Sequence, residues 1–392
     1  MPTAALALSP EQKTAHDAII AFVKKKKPEL KIGGFAGTGK TYLIAHTLNA
    51  LRDQNKKKTI ALACFTGKAA FVLREKLNAA GALQDEYCGT IHGLMYRPVE
   101  TEKGTEWRRR DTIDADLIII DEASMVSEQI YKDLKQYGVP MLFIGDHGQL
   151  PPIGGQLALM EKPDVTLITI QRQAAGNPII QLSQIVRETG NVPQGGAYGE
   201  GANSGLGWHK IPMRLHDLVK GATDPGQAMF LCGYNKTRVF LNGAIRDRLG
   251  FRDPKPMQGE KLICLKNNRE TGIFNGMGGL LKKIEVADGS SYFDVEIQME
   301  DGTTFKGWVI KAQFGAQATL RELGNMDPRE LKELFDWGYA LTVHKAQGSE
   351  SDRVFLIEER FSSMDDETWR RWLYTGVTRA RKHLTVVSRI RS

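Results

Sequence analysis

The stretch from Gly34 to Thr41 constrains this chain more than any other. It reads Gly-Phe-Ala-Gly-Thr-Gly-Lys-Thr and matches the pattern G-x-x-x-x-G-K-[ST] at every fixed position. Before it, Leu30 to Gly33 is short and partly apolar like a strand, and after it Tyr42 to Arg52 carries apolar residues at helical spacing. A glycine-rich loop between a strand and a helix closes backbone N–H groups on a phosphate. The pattern therefore predicts a nucleotide site in which Lys40 reaches the β- and γ-phosphate oxygens and the Thr41 hydroxyl can ligate Mg²⁺.

A pair of acidic residues supplies a second element of the same chemistry. Leu117 to Ile120 is continuously apolar and ends in Asp121-Glu122, as expected for a buried parallel strand that delivers carboxylates to its carboxyl end. Asp121 can hold Mg²⁺, directly or through water, and Glu122 can orient and deprotonate the water that attacks a γ-phosphate. The next apolar run leads to Gln149, whose amide could sense the γ-phosphate. Together with the glycine-rich loop, the adjacent acids predict hydrolysis of the nucleotide.

Composition narrows the class of protein only a little. The 392 residues suggest two or three domains, and 53 Lys and Arg against 46 Asp and Glu give a net charge of +7, which fits a polyanionic partner without requiring one. The four cysteines lie far apart with no C-x-x-C pair, which predicts neither a zinc site nor a disulfide framework. Because no basic leader and no apolar run of roughly 20 residues is present, we expect no membrane span and a cytoplasmic protein.

The first part of the chain alternates short apolar runs with helical stretches, which is typical of an α/β fold. A helix is predicted to begin after Ser9 as N-cap, with Gln12 close behind, and to end near Val23. The polar stretch from Tyr96 to Asp111 interrupts the alternation and is either a small inserted hairpin or a solvent-exposed excursion. The paired prolines Pro151 and Pro152 are expected to end the first domain.

In the second half of the chain, the pattern of apolar and turn-forming residues changes between about Met257 and Ala318. Short β runs there are separated by Asn-Gly, Asp-Gly and Gly-Gly, which predicts a small β-barrel inserted in an α/β domain. Its predicted strands are Lys261 to Leu265, Gly279 to Val286, Tyr292 to Gln298 and Thr304 to Ile310. On either side of this region, Gly190 to Gly207 is predicted to be a loop and Leu331 to Trp337 a helix.

Taken in order, these blocks resemble superfamily 1 helicases of the 5′-to-3′ subgroup, the RecD and Dda type of bacteria and their phages, over about the full length. The resemblance implies two RecA-like P-loop domains, each a parallel sheet flanked by helices, with a small inserted pin and an SH3-like β-barrel insert. The implied boundaries are 1–155 for the first domain with a pin-like hairpin at 93–112, 156–255 and 329–392 for the second domain, and 256–328 for the barrel.

The resemblance also implies an ATP site whose halves come from both domains. Gln12 matches the glutamine that reads adenine, and Arg172 and Arg379 match arginine fingers that reach the γ-phosphate. The implied catalytic residues are Lys40, Glu122, Gln149, Arg172 and Arg379, and the implied metal ligands are Thr41 and Asp121. The implied ATP-binding residues are Gln12, Gly34, Gly37, Thr38, Gly39, Lys40, Thr41, Gln149, Arg172, Gly348, Glu350 and Arg379.

Contacts with single-stranded DNA are implied for two groups of residues. The implied DNA-binding residues are Phe65, Thr66, Lys68, Thr90 and His92 in the first domain, and Thr342, His344 and Lys345 in the second. Phe65 stands where many relatives have proline, so it either stacks on a base or packs in the protein. Thr342 could instead be a helix cap, and His344 could orient Lys345 or brace the Arg379 loop. Trp107 is the candidate wedge for strand separation.

The implied function is an ATP-dependent 5′-to-3′ DNA helicase that uses ATP and Mg²⁺, translocates on single-stranded DNA and unwinds duplex DNA. Three alternatives stay open: a single-stranded-DNA-stimulated ATPase that translocates but hardly unwinds, a nucleotide-switched binding module, and an enzyme that acts on RNA. The expected partners are single-stranded DNA and junctions of single- and double-stranded DNA, with a single-stranded-DNA-binding protein or a replisome as further candidates. A monomer suffices because both halves of the ATP site lie in one chain, and the pathway is open among replication, recombination and repair.

Lys40→Ala tests the predicted nucleotide site. Because the ammonium group is the predicted contact with the β- and γ-phosphates, its removal should abolish ATP hydrolysis and leave DNA binding largely intact. Hydrolysis is measured by phosphate release and DNA binding by fluorescence anisotropy. Loss of both activities together would show that the variant is misfolded.

Overall fold

The computed structural model describes residues 7–101, 104–151, 159–171, 176–199, 206–222, 224–266, 268, 273, 275–286, 289–320 and 332–389, and for 98–101, 104–107 and 389 it describes the backbone alone. The chain forms two compact units, Met1–Gly176 and Asn177–Ser392. No helix in this described part is long and apolar enough to cross a membrane.

The first unit contains a parallel sheet with helices on both faces. Its helices are α1 (Pro10–Lys24), α2 (Lys40–Gln54), α3 (Gly67–Ala79), α4 (Ile91–Met95) and α5 (Glu128–Lys135). Its strands are β1 (Glu29–Gly34), β2 (Ile60–Cys64), β3 (Tyr87–Thr90), β4 (Tyr96–Thr101), β5 (Gly104–Arg109), β6 (Leu117–Asp121), β7 (Met141–Gly145) and β8 (Val165–Leu167). The sheet order is β3-β2-β6-β7-β1-β8, and neighbouring strands are parallel.

The apolar strands of this sheet are buried from both sides. Leu117 and Ile119 face a core formed with α1, α2 and α3, whereas Ile118 and Ile120 face a core formed with α4 and α5. A strand covered on both faces requires apolar side chains at consecutive positions, and this explains the uninterrupted run in β6. The predicted start of α1 is confirmed, because Ser9 and Gln12 form a capping box and Pro10 is the first helical residue.

The strand β8 extends the first unit beyond its expected end. Ile32 of β1 pairs with Val165 of β8, so the chain returns to the first sheet after the paired prolines. The unit accordingly runs to Gly176, whereas the sequence prediction placed the boundary at 155. Two prolines indicate a break in regular structure, but they do not show which sheet the following strand joins.

A two-stranded hairpin is inserted between α4 and β6. Its strands β4 and β5 pair antiparallel from Tyr96 opposite Arg109 to Thr101 opposite Gly104. At its base, the Arg109 guanidinium lies over the Tyr137 ring at 4.6 Å, and the Tyr137 hydroxyl donates to the Met95 carbonyl at 2.9 Å. The interrupting stretch is therefore a hairpin whose base is attached to the region after α5.

The second unit contains a mixed sheet and a smaller antiparallel sheet. Its helices are α6 (Pro178–Thr189), α7 (Leu215–Gly221), α8 (Asn235–Leu249) and α9 (Asp366–Val377). Its strands are β9 (Gly195–Tyr198), β10 (Gly207–Met213), β11 (Met229–Cys232), β12 (Lys261–Cys264), β13 (Gly278–Glu285), β14 (Tyr292–Met299), β15 (Thr304–Ile310), β16 (Phe335–Trp337), β17 (Ala340–Thr342), β18 (Ser351–Glu358) and β19 (Ala380–Arg389).

The larger sheet has the order β17-β11-β18-β19-β10-β9, with every described pairing parallel except that of β9 with β10. The prediction of a loop from Gly190 to Gly207 is wrong at β9, where Gly195 to Tyr198 pairs with β10. Glycine has low β-propensity, so this edge strand depends on pairing with its neighbour and leaves no pattern of its own.

The smaller sheet has the order β15-β14-β13-β12-β16, with antiparallel neighbours. Four of its strands lie close to the predicted runs, but the prediction of a helix from Leu331 to Trp337 is wrong. The segment from Phe335 to Trp337 is β16 and pairs with β12. In this strand, Phe335 and Trp337 flank the buried Asp336. The Asp336 carboxylate accepts hydrogen bonds from Arg238 and from the Gly315 N–H. Pairing with β12 therefore overrides the helical spacing.

A buried ion pair joins α8 to this smaller sheet. Glu260 is fully buried and Arg246 is 6% exposed, and their side chains are linked at 2.6 Å. The Arg246 guanidinium also donates to the Asp253 and Lys255 carbonyls and lies 4.1 Å from the centre of the Trp337 ring. Each charge is thus compensated by its partner and by several neutral groups.

Glu260→Ala should destabilise the second unit by about 3–5 kcal/mol, because it leaves the Arg246 charge buried without its carboxylate. Urea unfolding followed by circular dichroism measures the change. Glu285→Ala is the matched control, since it removes a carboxylate from the exposed pair with Lys283 and should leave the unfolding midpoint in place. Equal shifts for the two variants would contradict the assigned role of the buried pair.

Candidate active site

The glycine-rich loop connects β1 to α2 in a conformation that requires glycine. Gly37 and Gly39 have φ values of 78° and 81°, in the left-handed region. Gly39 is also the N-cap of α2, so the loop leads directly into a helix N-terminus, a position that favours an anion. The Lys40 ammonium donates to the Gly34 and Phe35 carbonyls at 2.8 and 3.1 Å. Backbone donors and a cation therefore lie at one helix N-terminus.

Gln12 braces this loop from α1. Its side chain is 2% exposed, its Nε2 donates to the Thr38 carbonyl at 3.0 Å, and its Oε1 accepts from the Ser9 N–H at 3.0 Å. A Cβ on Gly39 would lie 2.4 Å from Gln12 Nε2. The structure thus places Gln12 against the loop, and its contact with adenine stays a prediction.

The acidic pair lies at the carboxyl end of β6. Burial raises the pKa of Asp121, and the Glu122 N–H and the charge of Lys40 act in the opposite direction. The Asp121 Oδ1 accepts from the Glu122 N–H at 2.9 Å. Glu122 has a φ of 54°, which is uncommon for a residue with a side chain and costs of order 1–3 kcal/mol. Such strain is concentrated at functional sites, and here it sets the direction of the Glu122 carboxyl relative to Asp121.

Gln149 lies in the loop after β7, close to the acidic pair. Its Nε2 donates to the buried Asp146 at 3.4 Å, and a Cβ on Gly145 would lie 3.0 Å from the Ser124 nitrogen, so the loops after β6 and β7 pack together. Within the described part of the chain, Gln149 Oε1 and Ser124 Oγ are buried without a hydrogen-bond partner. Buried polar atoms are rarely left unpaired, and these two fit a site that receives a polar ligand.

In the first unit, the residues implied to bind DNA lie where β2 and β3 end. Cys64 is in register with Thr90, so both strands end at one edge. Thr66 caps α3 by accepting from the Ala69 N–H at 3.1 Å, and Thr90 caps α4 by accepting from the Gly93 N–H at 3.0 Å. Each hydroxyl hydrogen can still be donated to an acceptor, so the two caps are compatible with phosphate contacts.

The other members of this group have different surroundings. Lys68 lies in the first turn of α3. Phe65 is partly buried against the core that includes α4 and α5. This supports the prediction that Phe65 packs in the protein, although part of the residue is exposed. The His92 ring faces the Tyr96 ring at 6.0 Å.

In the second unit, Thr342 is the last residue of β17, and His344 and Lys345 lie in the turn that follows it. The Lys345 N–H donates to the Thr342 hydroxyl at 3.3 Å, so Thr342 does act as a local cap. Burial lowers the pKa of His344, which favours a neutral imidazole at physiological pH.

Arg379 joins two of the implied ATP-binding segments. Its side chain is 4% exposed, and the guanidinium donates to the Thr375 carbonyl, the Ser349 carbonyl and the Thr378 hydroxyl at 3.0, 3.2 and 3.0 Å. Gly348 has a φ of 74°, and Glu350 is exposed beside it. These bonds use three of the five guanidinium N–H donors, so one N–H on each terminal nitrogen is left for a contact with a γ-phosphate.

The structure does not describe the side chains of two predicted site residues. Arg172 lies outside the described residues, and Trp107 lies in β5 opposite Pro98 with its side chain outside the described part. The sequence interpretation also gave no individual role to two residues near the nucleotide loop. Gln171 donates its N–H to the Gly37 carbonyl at 3.0 Å, and Glu11 holds the segment before it. An acid in a first helical turn is an ordinary helix signal, so nothing local indicated a distant partner for Glu11.

Comparisons with known proteins agree with this arrangement. Residues 16–155 match the family described as an AAA domain, and residues 338–387 match the UvrD-like helicase C-terminal domain. The ATP-dependent RecD2 DNA helicase of Deinococcus radiodurans is 28% identical over 89% of this chain and 45% of its own length. The ATP-dependent DNA helicase dda of Enterobacteria phage T4 is 25% identical over 95% of this chain and 98% of its own length. The chain thus spans less than half of the RecD2 relative.

Solved structures show the same fold. Bacteroides Pif1 helicase, in a complex with ADP-AlF3 and single-stranded DNA, has a TM-score of 0.54 at 17% identity and covers 97% of this chain and 92% of that one. The parallel sheet of the first unit and its glycine-rich loop together define a P-loop fold. The chain is similar in sequence to the RecD2 and Dda helicases, and it shares its fold with Pif1 helicase.

Gly39→Ala tests the geometry of the nucleotide loop. The left-handed backbone at this position is unfavourable for alanine, and the added Cβ would displace the Gln12 side chain. We therefore expect nucleotide affinity to fall by about tenfold or more. Titration with fluorescent ADP measures the affinity. The matched control is Gly138→Ala, which introduces the same backbone strain at a φ of 68° but has no atom within 4 Å of the new Cβ. Equal affinities in the two variants would contradict the bracing role of Gln12.

Proposed function

We propose that this chain is an ATP-dependent DNA helicase that translocates 5′ to 3′ on single-stranded DNA and unwinds duplex DNA. The observation that carries the proposal is the first unit's site, where Lys40, the strained Glu122 and the buried Gln149 oxygen come from three different strand ends of one parallel sheet. This arrangement supports hydrolysis, because it combines a phosphate-binding loop with a carboxylate pair and a polar sensor.

The chemistry of the donors fits a nucleotide with Mg²⁺. Thr41 and Asp121 would hold the cation through hard oxygen atoms, and the cation would neutralise charge on the β- and γ-phosphates. Lys40 would exchange its contacts with the loop carbonyls for phosphate oxygens. Glu122 would accept the proton of the attacking water, and Gln149 would accept a hydrogen bond from that water through its carbonyl oxygen. Arg172 and Arg379 are proposed to stabilise the charge that develops at the γ-phosphate.

The proposed DNA contacts are mostly with the backbone. Thr66, Lys68 and Thr90 present hydroxyl, ammonium and N–H donors at the ends of β2 and β3, and donors of this kind bind phosphates without reading sequence. Thr342, His344 and Lys345 are proposed to do the same in the second unit. Binding should then weaken with salt, as expected when lysines displace counterions from DNA.

The identity of each sheet and of the inserted hairpin is also part of this proposal. The two larger sheets would be RecA-like domains, the five-stranded sheet an SH3-like barrel and the β4–β5 hairpin a strand-separating pin, with Trp107 as its candidate wedge. One observation favours the second candidate function, a translocase that hardly unwinds: the hairpin strands are only 6 residues long. Relatives named DNA helicases support unwinding.

Two partial duplexes, one with a 5′ and one with a 3′ single-stranded tail, test the proposal. With ATP and Mg²⁺ at low salt, only the 5′-tailed duplex should open, and gel separation of the strands measures this. Glu122→Gln is the matched control, because it keeps the side-chain size, removes the proposed base and should reduce hydrolysis about 10²-fold or more. If neither duplex opens but single-stranded DNA still stimulates hydrolysis, the translocase function replaces the proposal. Opening of only the 3′-tailed duplex would show that the polarity is wrong.

A further inference from the structure

A short segment of the first unit connects the nucleotide loop to the chain that enters the second unit. Residues 168–171 follow β8 directly and are called here the exit segment, because the chain continues from them to the unit boundary after Gly176. The exit segment lies at the edge of the first sheet, beyond the last pairing of Gly34 with Leu167. Its backbone donors therefore need partners outside the sheet.

Glu11 supplies acceptors for two of these backbone donors and for one side-chain hydroxyl. Its Oε2 accepts from the Ile168 and Thr169 N–H groups at 2.8 and 2.9 Å, and its Oε1 accepts from the Thr169 hydroxyl at 2.9 Å. Glu11 lies in the first turn of α1, where a negative charge is also favoured by the helix dipole. One carboxylate thus fixes two consecutive peptide groups and a side chain of the exit segment.

The exit segment is attached to the nucleotide loop as well. The Gln171 N–H donates to the Gly37 carbonyl at 3.0 Å, and the Phe35 N–H donates to the Leu167 carbonyl at 3.4 Å. The Gln171 side chain reaches back to the Ser9 hydroxyl at 3.4 Å. Hydrogen bonds therefore connect three segments: the loop proposed to hold phosphates, the start of α1 and the exit segment.

We propose that Glu11 is a positioning residue that holds the exit segment against the nucleotide loop, so that nucleotide binding at the loop is transmitted to the chain leading into the second unit. This inference rests on the proposed nucleotide site. A ligand bound by the loop restricts the motion of the Gly37 peptide. The Gly37 carbonyl in turn restricts the motion of Gln171, and Glu11 keeps the residues before Gln171 from moving independently. In the described part of the chain, the bonds that would then still hold the segment are those of Gln171 with the loop and with Ser9.

The ionised form of Glu11 is the one that accepts three hydrogen bonds. Burial raises its pKa, but the bonds from Thr169 and Ile168 outweigh this and lower the pKa overall. The contact is therefore complete at neutral pH. An amide at this position would keep one acceptor oxygen for the two N–H groups, but it would remove the negative charge and the acceptor for the Thr169 hydroxyl.

Hydrogen–deuterium exchange of the full chain, with and without ADP and Mg²⁺, tests the transmission directly. In the unaltered chain, nucleotide should slow exchange both in the loop at 34–41 and in the exit segment. In Glu11→Ala, which removes all three acceptor contacts, the loop should still be protected, and the protection of the exit segment should be lost. Protection of the loop without protection of the exit segment in the unaltered chain would overturn the inference and leave the nucleotide site standing. Protection of neither would refute the nucleotide site itself, and with it the inference.

Nucleotide affinity gives a second readout that a purely structural role would not change. Glu11→Gln should weaken ADP binding by about threefold to tenfold, the effect expected when one charge-assisted hydrogen bond no longer preorganises the site. The matched control is Asp17→Asn, an acid-to-amide change on the same helix that removes only the exposed pair with Lys13. Thr169→Val is a milder variant that keeps both N–H bonds to Glu11 and should weaken binding less. A lower unfolding temperature for Glu11→Gln with unchanged affinity would reduce Glu11 to a structural role.

Discussion

The parallel sheet of the first unit is the constraint on which the site depends. Parallel strands place all their carboxyl ends at one edge, so loops that are far apart in sequence begin beside one another. Gly33 of β1 is in register with Gly145 of β7, and Phe143 of β7 with Ile120 of β6. These two pairings bring the nucleotide loop, the acidic pair and the Gln149 loop together. The helices on both faces stabilise this sheet by burying consecutive apolar residues, and the site depends on that burial because its own geometry contributes little stability.

Several features at this edge are unfavourable when considered alone. Glu122 has a left-handed backbone, and Gln149 Oε1 and Ser124 Oγ are buried without a partner in the described part of the chain. Such features persist only when the surrounding packing compensates for them, and they are typical of sites prepared for a ligand. The bracing of the loop by Gln12 follows the same logic, since a buried amide restricts the loop before any nucleotide binds.

Residues implied to bind DNA or ATP also have local structural roles. Thr66, Thr90 and Thr342 each accept a backbone N–H in a cap or turn, and Arg379 is held by three oxygen atoms of its own unit. A residue that is already held in place loses little conformational entropy when it binds a ligand, so the two roles are compatible. The same bonds mean that a substitution at these positions affects local folding as well as binding, which makes matched control variants necessary.

The sequence by itself determined the nucleotide loop, the acidic pair, the α/β character of both units and most strand positions, because each depends on local patterns of glycine, charge and apolar periodicity. The tertiary structure decided which segments join which sheet. It added β8 to the first sheet, made β9 from a glycine-rich stretch and turned Phe335 to Trp337 into a strand, since pairing with a distant neighbour outweighs local propensity. It also placed Gln171 at the nucleotide loop and Glu11 at the segment that follows β8. Their partners are reached only when α1 and β8 lie beside β1, and no local sequence pattern contains that information.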